Sequence, residues 1–306
     1  MPGQSSPSSL DGAGGLDYVT LASDDRIYAI FFLIGITILV YDYFLTFQTE
    51  VKYIWSVKLR SSAYWFLAVR YFGLGASITM SVFFFREMGT EVCLRMQLAW
   101  QALLVIQEVL IDVTLGMRVL AMYGFKFWVL LCLLGAGSLT VGLAIWAVID
   151  YGHPQVLSAP GLVGCHIAVS RANSLRLAGA WEAQLFCDTL LVALTLRRAY
   201  LARHTLGLYR GSLIERMVAD GGMYFVFLVL ANVANLLTFY LGDILLSGFL
   251  SWFTTSLSVT LLSRLMLNLH ESADAVAYVA DQHRPMDLEL MRFRTVPTME
   301  GFSVDP

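Results

Sequence analysis

Seven polar side chains stand inside otherwise apolar stretches of this 306-residue chain: Asp42, Arg70, Gln97, Gln101, Glu108, Asp112 and Asp188. An ionisable group at membrane depth costs at least about 2.5–3.5 kcal/mol unless it is paired or hydrated, so such residues are the first candidates for function. Gln97, Gln101, Glu108 and Asp112 follow one another at intervals of four, seven and four, which places them on one helix face. At about 1.5 Å per residue from the helix ends, Arg70 and Asp112 fall at similar depth, so a salt bridge between them is geometrically available. Glu108 then lies one turn further from that end. Two readings stay open: a proton- or ligand-responsive core cluster, and a structural ion pair that fixes helix register. Asn232, Asn235 and the stripe Ser247, Ser251, Thr254 and Ser258 can line the same interior. Hydroxyls of this kind usually bond their own backbone, which weakens the stripe as a signal.

Specific chemistries are excluded by residue placement. A retinal Schiff base needs a lysine within a helix, yet the lysines are Lys52, Lys58 and Lys126, all in expected loops. Intramembrane zinc hydrolysis needs clustered ligands, whereas His153, His166, His204, His270 and His283 are scattered over loops, helix ends and the tail. Tyr41-Asp42 and Leu241-Gly242-Asp243 faintly echo the paired motifs of intramembrane aspartyl proteases. Two such carboxylates must share a proton at close range, and these are expected at opposite ends of their helices. No phosphate-binding loop, serine elbow or nucleic-acid motif is present. The expectation is therefore a non-enzyme without cofactor or metal and without a nucleic-acid partner.

The elements that must hold these residues follow from composition. The chain is 58% hydrophobic and only 14% charged, with a mean hydropathy of +0.67, against roughly 25% charged residues in soluble domains. A helix crosses the hydrocarbon core with about 20 mostly uncharged residues, and seven runs approach that length: 27–47, 61–85, 96–120, 127–149, 177–197, 222–241 and 245–267. The expected fold is an all-α membrane protein, a seven-helix transmembrane bundle over residues 26–270. It is preceded by a disordered extracytoplasmic tail, 1–25, and followed by a mostly flexible cytoplasmic tail, 271–306, with an amphipathic start at 273–280. The third and fifth runs carry carboxylates and are the weakest; losing either would invert everything after it.

Lysine and arginine are retained on the cytoplasmic side. With the N-terminus outside, the inner segments hold Lys52, Lys58, Arg60, Arg118, Lys126, Arg197, Arg198, Arg203, Arg210 and Arg216, and the outer ones Arg26, Arg86, Arg95, Arg171 and Arg176. The bias sets an external N-terminus and a cytoplasmic C-terminus. The acidic, Ser/Gly-rich opening lacks the basic start and apolar centre of a signal peptide, so the first helix is expected to act as its own insertion signal. Cys93 before the third run and Cys165 in the long loop after the fourth then both lie on the oxidising side, and a disulfide between them is expected. Cys132 and Cys187 fall within helices and read as core residues.

Tyr41-Asp42-Tyr43, Thr46, Glu50, Trp55, Lys58, Arg70 and Tyr71 form an unusual block across the first two runs. The block resembles the N-terminal domain of unknown function in a large family of uncharacterised multi-pass membrane proteins of mushroom-forming fungi. Further similarities are Arg118, Ala121 and Tyr123; Asp220-Gly221 with Tyr224-Phe225; and Ser263-Arg264 with Leu267, Asn268 and Leu269, although Leu120 and Met122 depart from the family pattern. The resemblance implies a seven-helix fold and no assigned activity.

Two functions are compatible with this reading. The first is a receptor-like sensor with the topology of G-protein-coupled receptors, using the basic face Arg118, Arg197, Arg198 and Arg264 towards lipid phosphates or an intracellular signalling protein. It lacks the Asn-Pro pair common near the end of the seventh helix in animal receptors, and Met117-Arg118-Val119 matches their end-of-third-helix triplet only at Arg. The second is a proton or small-solute carrier using Arg70, Glu108 and Asp112. Partners are the lipid bilayer and an unidentified ligand, and the plasma membrane is the working location.

Overall fold

The computed structural model describes residues 18–56, 61–86, 89–149, 155–157, 165–206, 213–243 and 245–271. They are overwhelmingly helical. Helix α1 runs Tyr18–Glu50 and continues through a π-helical turn, Val51–Trp55. Then follow α2 (Ser61–Phe84), α3 (Thr90–Met122), α4 (Phe127–Ile149), α5 (Arg171–Leu206) and α6 (Leu213–Leu241). A last helix, α7, covers residues 251–271. Between α4 and α5, strands β1 (Gln155–Leu157) and β2 (His166–Ala168) pair antiparallel with Val156 opposite Ile167.

Most helix ends lie beyond the sequence expectation, and the main exception is α7, which starts at residue 251 rather than 245 because 245–250 form turns in which Gly248 takes φ +75°. Helix α4 occupies the expected span, but α1 begins at Tyr18, inside the segment expected as a disordered tail, and α3, α5 and α6 extend beyond their apolar runs. Hydropathy marks only the stretch that lipid or core must accept, whereas a helix continues until its backbone is stopped. At the end of α3 the stop is visible: Gly124 takes φ +64°, its N–H bonds to the Ala121 carbonyl and that of Phe125 to the Leu120 carbonyl. These are the two bonds of a Schellman cap, whose left-handed position glycine occupies without strain. Of the cytoplasmic tail expected over 271–306, only Glu271 is described, as the last residue of α7, and the amphipathic start expected at 273–280 lies outside the described residues.

Four helical stretches are long and apolar enough to cross a membrane by length and composition: Thr20–Trp55, Ala63–Phe84, Phe127–Ile149 and Arg171–Arg198; Val226–Leu241 is a shorter apolar helix. Helices α3 and α7 are not among them, since their polar residues lower the hydropathy, although many of these residues are buried in the bundle. On α7, Ser251, Thr254, Thr255, Ser256, Ser258, Thr260 and Ser263 are all buried. The outside shows the opposite chemistry, with Ile30, Phe44, Leu131, Leu134, Trp146, Phe227 and Leu230 exposed. Continuous apolar surface of this kind is a liability in water and a match for lipid, and it marks a membrane-embedded protein.

The bundle has two packing centres. At the end nearer the ribbon, Phe32 stacks on Phe84 and Trp100 at 4.6 and 5.4 Å, and Trp100 meets Trp252 at 4.8 Å, joining α1, α2, α3 and α7. At the other end Leu39, Phe66, Ile111, Leu191, Val259 and Leu265 form a larger aliphatic core. Helix α7 reaches the middle because a small residue admits it: a Cβ on Gly35 of α1 would stand 3.1 Å from the Phe253 Cα. Small residues at such crossings let backbones approach where the hydrophobic effect gives helices no reason to associate.

Candidate functional site

Two polar networks and one cavity hold almost all of the buried ionisable groups. The first network joins α1 and α2 at the end away from the ribbon. Glu50, fully buried, pairs with Arg70 (Oε2 to Nε, 2.9 Å). Its Oε1 accepts from Trp55 Nε1 at 3.0 Å and from the Tyr71 hydroxyl at 2.9 Å. Arg70 Nη2 donates to the Tyr43 carbonyl and to Thr46 Oγ1, and the guanidinium lies 4.9 Å from the Tyr43 ring centre. Charge, hydrogen bonds and a π face are all used at once, which is how a buried Arg is tolerated.

The ion pair that equal depth made available between Arg70 and Asp112 is not formed. Equal depth fixes only the height of a side chain; each residue also turns the helix face by about 100°, and Arg70 faces α1. The link from α3 to α2 is instead Gln107 Nε2 donating to the Val69 carbonyl at 3.2 Å. Glu50 is the residue that depth counting missed, since it lay beyond the apolar run expected for α1.

Asp42, one of the candidates, is buried and pairs with Arg264 of α7 (Oδ1 to Nε, 2.5 Å). Arg264 is thus tied to α1. Arg198 donates to the Met122 carbonyl at the end of α3, a favourable place for a cation. Two of the four residues proposed as a basic face therefore have intramolecular partners. Arg197 is exposed and Arg118 half-buried.

The second network lies deeper, among α3, α5, α6 and α7. Glu108 Oε1 accepts from Thr255 Oγ1 at 2.5 Å. Gln184 Nε2 donates to Asp112 Oδ1 at 3.1 Å and to Asp188 Oδ1 at 3.3 Å. Asn232 Nδ2 donates to Asp188 Oδ2 at 2.6 Å. The three carboxylates are held by neutral donors, and among the described residues none has a basic partner. The structure therefore separates the five ionisable candidates: Asp42 and Arg70 belong to ion pairs, Asp112 and Asp188 are bridged by the Gln184 amide, and Glu108, one turn from Asp112 on α3, accepts from Thr255. Gln184 and Thr255 were missed; the i, i+4 spacing of Gln184 and Asp188 on α5 was the available signal. The Ser/Thr stripe divides as well, with Ser247 in the turns before α7 and the rest on the helix. Ser251 bonds Asn235 Oδ1 and Ser247 meets Ser174 on α5, but Thr254 and Ser258 bond their own helix.

Beside this cluster lies a cavity of two chambers. The inner chamber, about 80 Å³, sits between α3, α4 and α5 and is walled by Val105, Val141, Ala144 and Val148 with Glu108 and Gln184. The outer chamber, about 100 Å³, is bounded by Tyr28, Trp100, Phe239 and Ser247 and by Ile167 of the ribbon. Gln101, Leu104, Leu177 and Trp181 line both. The ribbon is held over the outer chamber by a disulfide between Cys93, at the start of α3, and Cys165, with Cα atoms 5.4 Å apart. Cys187 is buried and Cys132 exposed, both unpaired. Among the described residues no group of His, Cys, Asp and Glu has the arrangement of a metal site.

A family of unknown function, DUF6533, matches residues 30–75. That stretch contains Asp42, Tyr43, Thr46, Glu50, Trp55, Arg70 and Tyr71, so the whole of the first network falls within the matched segment. No curated protein and no solved structure matches the chain.

Proposed function

We propose that this chain is a seven-spanning, receptor-like membrane protein that binds a small ligand in the two-chambered cavity. The observation that carries this reading is the cavity under a disulfide-anchored ribbon, with an apolar inner chamber that ends at a polar floor. Pre-formed apolar pockets with a few convergent polar groups are the usual form of a ligand site. The seven spans are the four long apolar helices together with α3, α6 and α7, whose polar residues are sheltered by their neighbours.

An external N-terminus is supported by the excess of Lys and Arg in the alternate loops and by the disulfide, which needs an oxidising compartment. The ribbon then faces outward and the Glu50–Arg70 network lies at the cytoplasmic end. Arg118 and Arg197 lie on that side and suit an intracellular signalling protein or anionic headgroups. The comparison with G-protein-coupled receptors rests on architecture alone and gives no ligand. No enzymatic role or cofactor is part of this reading, and the fungal seven-helix family remains the group that the sequence resembles.

The test is purification from the native membrane in mild detergent, with identification of co-purifying proteins and their release by guanine nucleotide. A nucleotide-released G-protein α subunit is the expected result. Its reproducible absence, with the chain intact, counts against coupling to that class.

A carrier is the second reading, and one observation favours it: Asp112 and Asp188 connect α3, α5 and α6 through Gln184 and Asn232, and Glu108, one turn from Asp112 on α3, joins α7 through Thr255, a set of groups able to hold protons. In proteoliposomes, Glu108→Gln is expected to reduce proton-coupled flux at least tenfold while the thermal midpoint stays near that of the wild type. Absence of flux in the wild-type protein removes this reading.

A further inference from the structure

We infer that the inner chamber selects an amphiphilic cation, a ligand with an ammonium head seated between Glu108 and Gln184 and an apolar body along α4. The inference deepens the ligand-binding reading above and rests on it.

Three carboxylates at membrane depth without a basic partner must be neutralised by protons or by a cation. The surrounding hydrogen bonds favour the cation. Gln184 turns its Nε2 towards Asp112 and Asp188, the orientation that satisfies those two acceptors, and this fixes its Oε1 away from them. That oxygen is buried and has no partner, on a residue 3% exposed that walls the inner chamber. Glu108 walls the same chamber, and only one of its oxygens is bonded, to Thr255. Among the described residues, the second Glu108 oxygen and the Gln184 carbonyl oxygen thus carry no hydrogen bond, and Glu108 brings a carboxylate to the wall of the chamber.

An ammonium group offers three donors and a positive charge and answers both. A carboxylate or phosphate ligand would be repelled. A third amide, Gln101, stands where the two chambers meet, 8% exposed and with an unpartnered Nε2. It can serve a polar group at the other end of the ligand. The rest of the wall is mainly apolar, with Leu104, Val105, Val141, Ala144 and Val148 beside Trp181 and a Thr140 whose hydroxyl donates to its own helix at Ala136, and it suits hydrocarbon.

The probes are octylamine and octanol, equal in chain length and different in head, titrated at neutral pH against the full chain in nanodiscs with empty nanodiscs as blank. Trp181 lines both chambers and Trp100 the outer one, so tryptophan fluorescence reads occupancy. Octylamine is expected to saturate at a concentration at least tenfold below octanol. Glu108→Gln should bring the two probes within about twofold of each other, and Ala144→Trp, which fills the chamber, should abolish both signals.

Equal binding of amine and alcohol by the wild type, or a preference that survives Glu108→Gln, overturns the inference. If that equal binding is blocked by Ala144→Trp, the cavity still binds ligands and only the cation preference is lost. Signals unaffected by Ala144→Trp, or absent for both probes, overturn the cavity reading as well. Thermal midpoints verify the fold of each variant. Gln184→Met, which removes the free acceptor while leaving Glu108, is expected to lower the preference by several-fold and replaces Glu108→Gln if that variant does not fold.

Discussion

Replacing Arg70 alone, as Arg70→Met, is expected to destabilise the bundle by about 3–5 kcal/mol, the usual cost of leaving one partner of a buried ion pair uncompensated. Glu50 is fully buried at 0% exposure and Arg70 at 3%. Without the guanidinium, the Glu50 carboxylate keeps only Trp55 and Tyr71 as donors. The Tyr43 carbonyl and Thr46 lose their contacts from Nη2 at the same time. The double variant Glu50→Gln/Arg70→Met should recover more than half of the loss, because a neutral amide can still accept from Trp55 and Tyr71 and no charge is stranded.

The readout is the unfolding midpoint of each variant in the same detergent, combined as a double-mutant cycle. A single variant within about 0.5 kcal/mol of the wild type would show that the pair contributes nothing net, as many exposed pairs do. The result also bears on Tyr43, Thr46 and Tyr71, which lie in the segment shared with the DUF6533 family. If the double variant is stable, what those residues preserve is the geometry that joins α1 to α2.

The second large effect concerns the ribbon. Cys93 and Cys165 are 72 residues apart, and a bridge closing a loop of that length is worth about 4 kcal/mol in the chain-entropy account. The bilayer already confines the unfolded helices, so about 2–4 kcal/mol is the expected loss in Cys93→Ser/Cys165→Ser. Reductant should lower the wild-type midpoint to that of the double variant and leave the variant itself unmoved. Cys132 and Cys187 remain in both proteins and serve as internal controls. A wild-type protein whose midpoint ignores reductant, and whose Cys93 and Cys165 both alkylate before reduction, would remove the bridge. Because β2 begins one residue after Cys165, loss of the bridge is also expected to loosen the cover of the outer chamber and weaken ligand retention there.

The sequence by itself determined the membrane character and the positions of the helices. Apolar runs are local and additive, so α4 could be bounded at Phe127 and Ile149 without knowledge of any neighbour. Helix ends were less legible. The start of α1 at Tyr18 and the length of α5 depend on capping and on packing beyond the hydrocarbon core, where hydropathy carries little information.

The candidate residues were legible as types but not as partners. Intramembrane charge identified Asp42, Arg70, Glu108, Asp112 and Asp188, since each is costly wherever the helix turns. Which of them meet depends on rotation about each helix axis and on the order of helices in the bundle. Only the tertiary structure decided that Arg70 turns to Glu50, that Arg264 reaches back over the length of the chain to Asp42, and that Gln184 gathers two carboxylates into one cluster. The physical reason is that burial in lipid fixes depth, whereas side-chain pairing is a property of contacts between helices far apart in sequence.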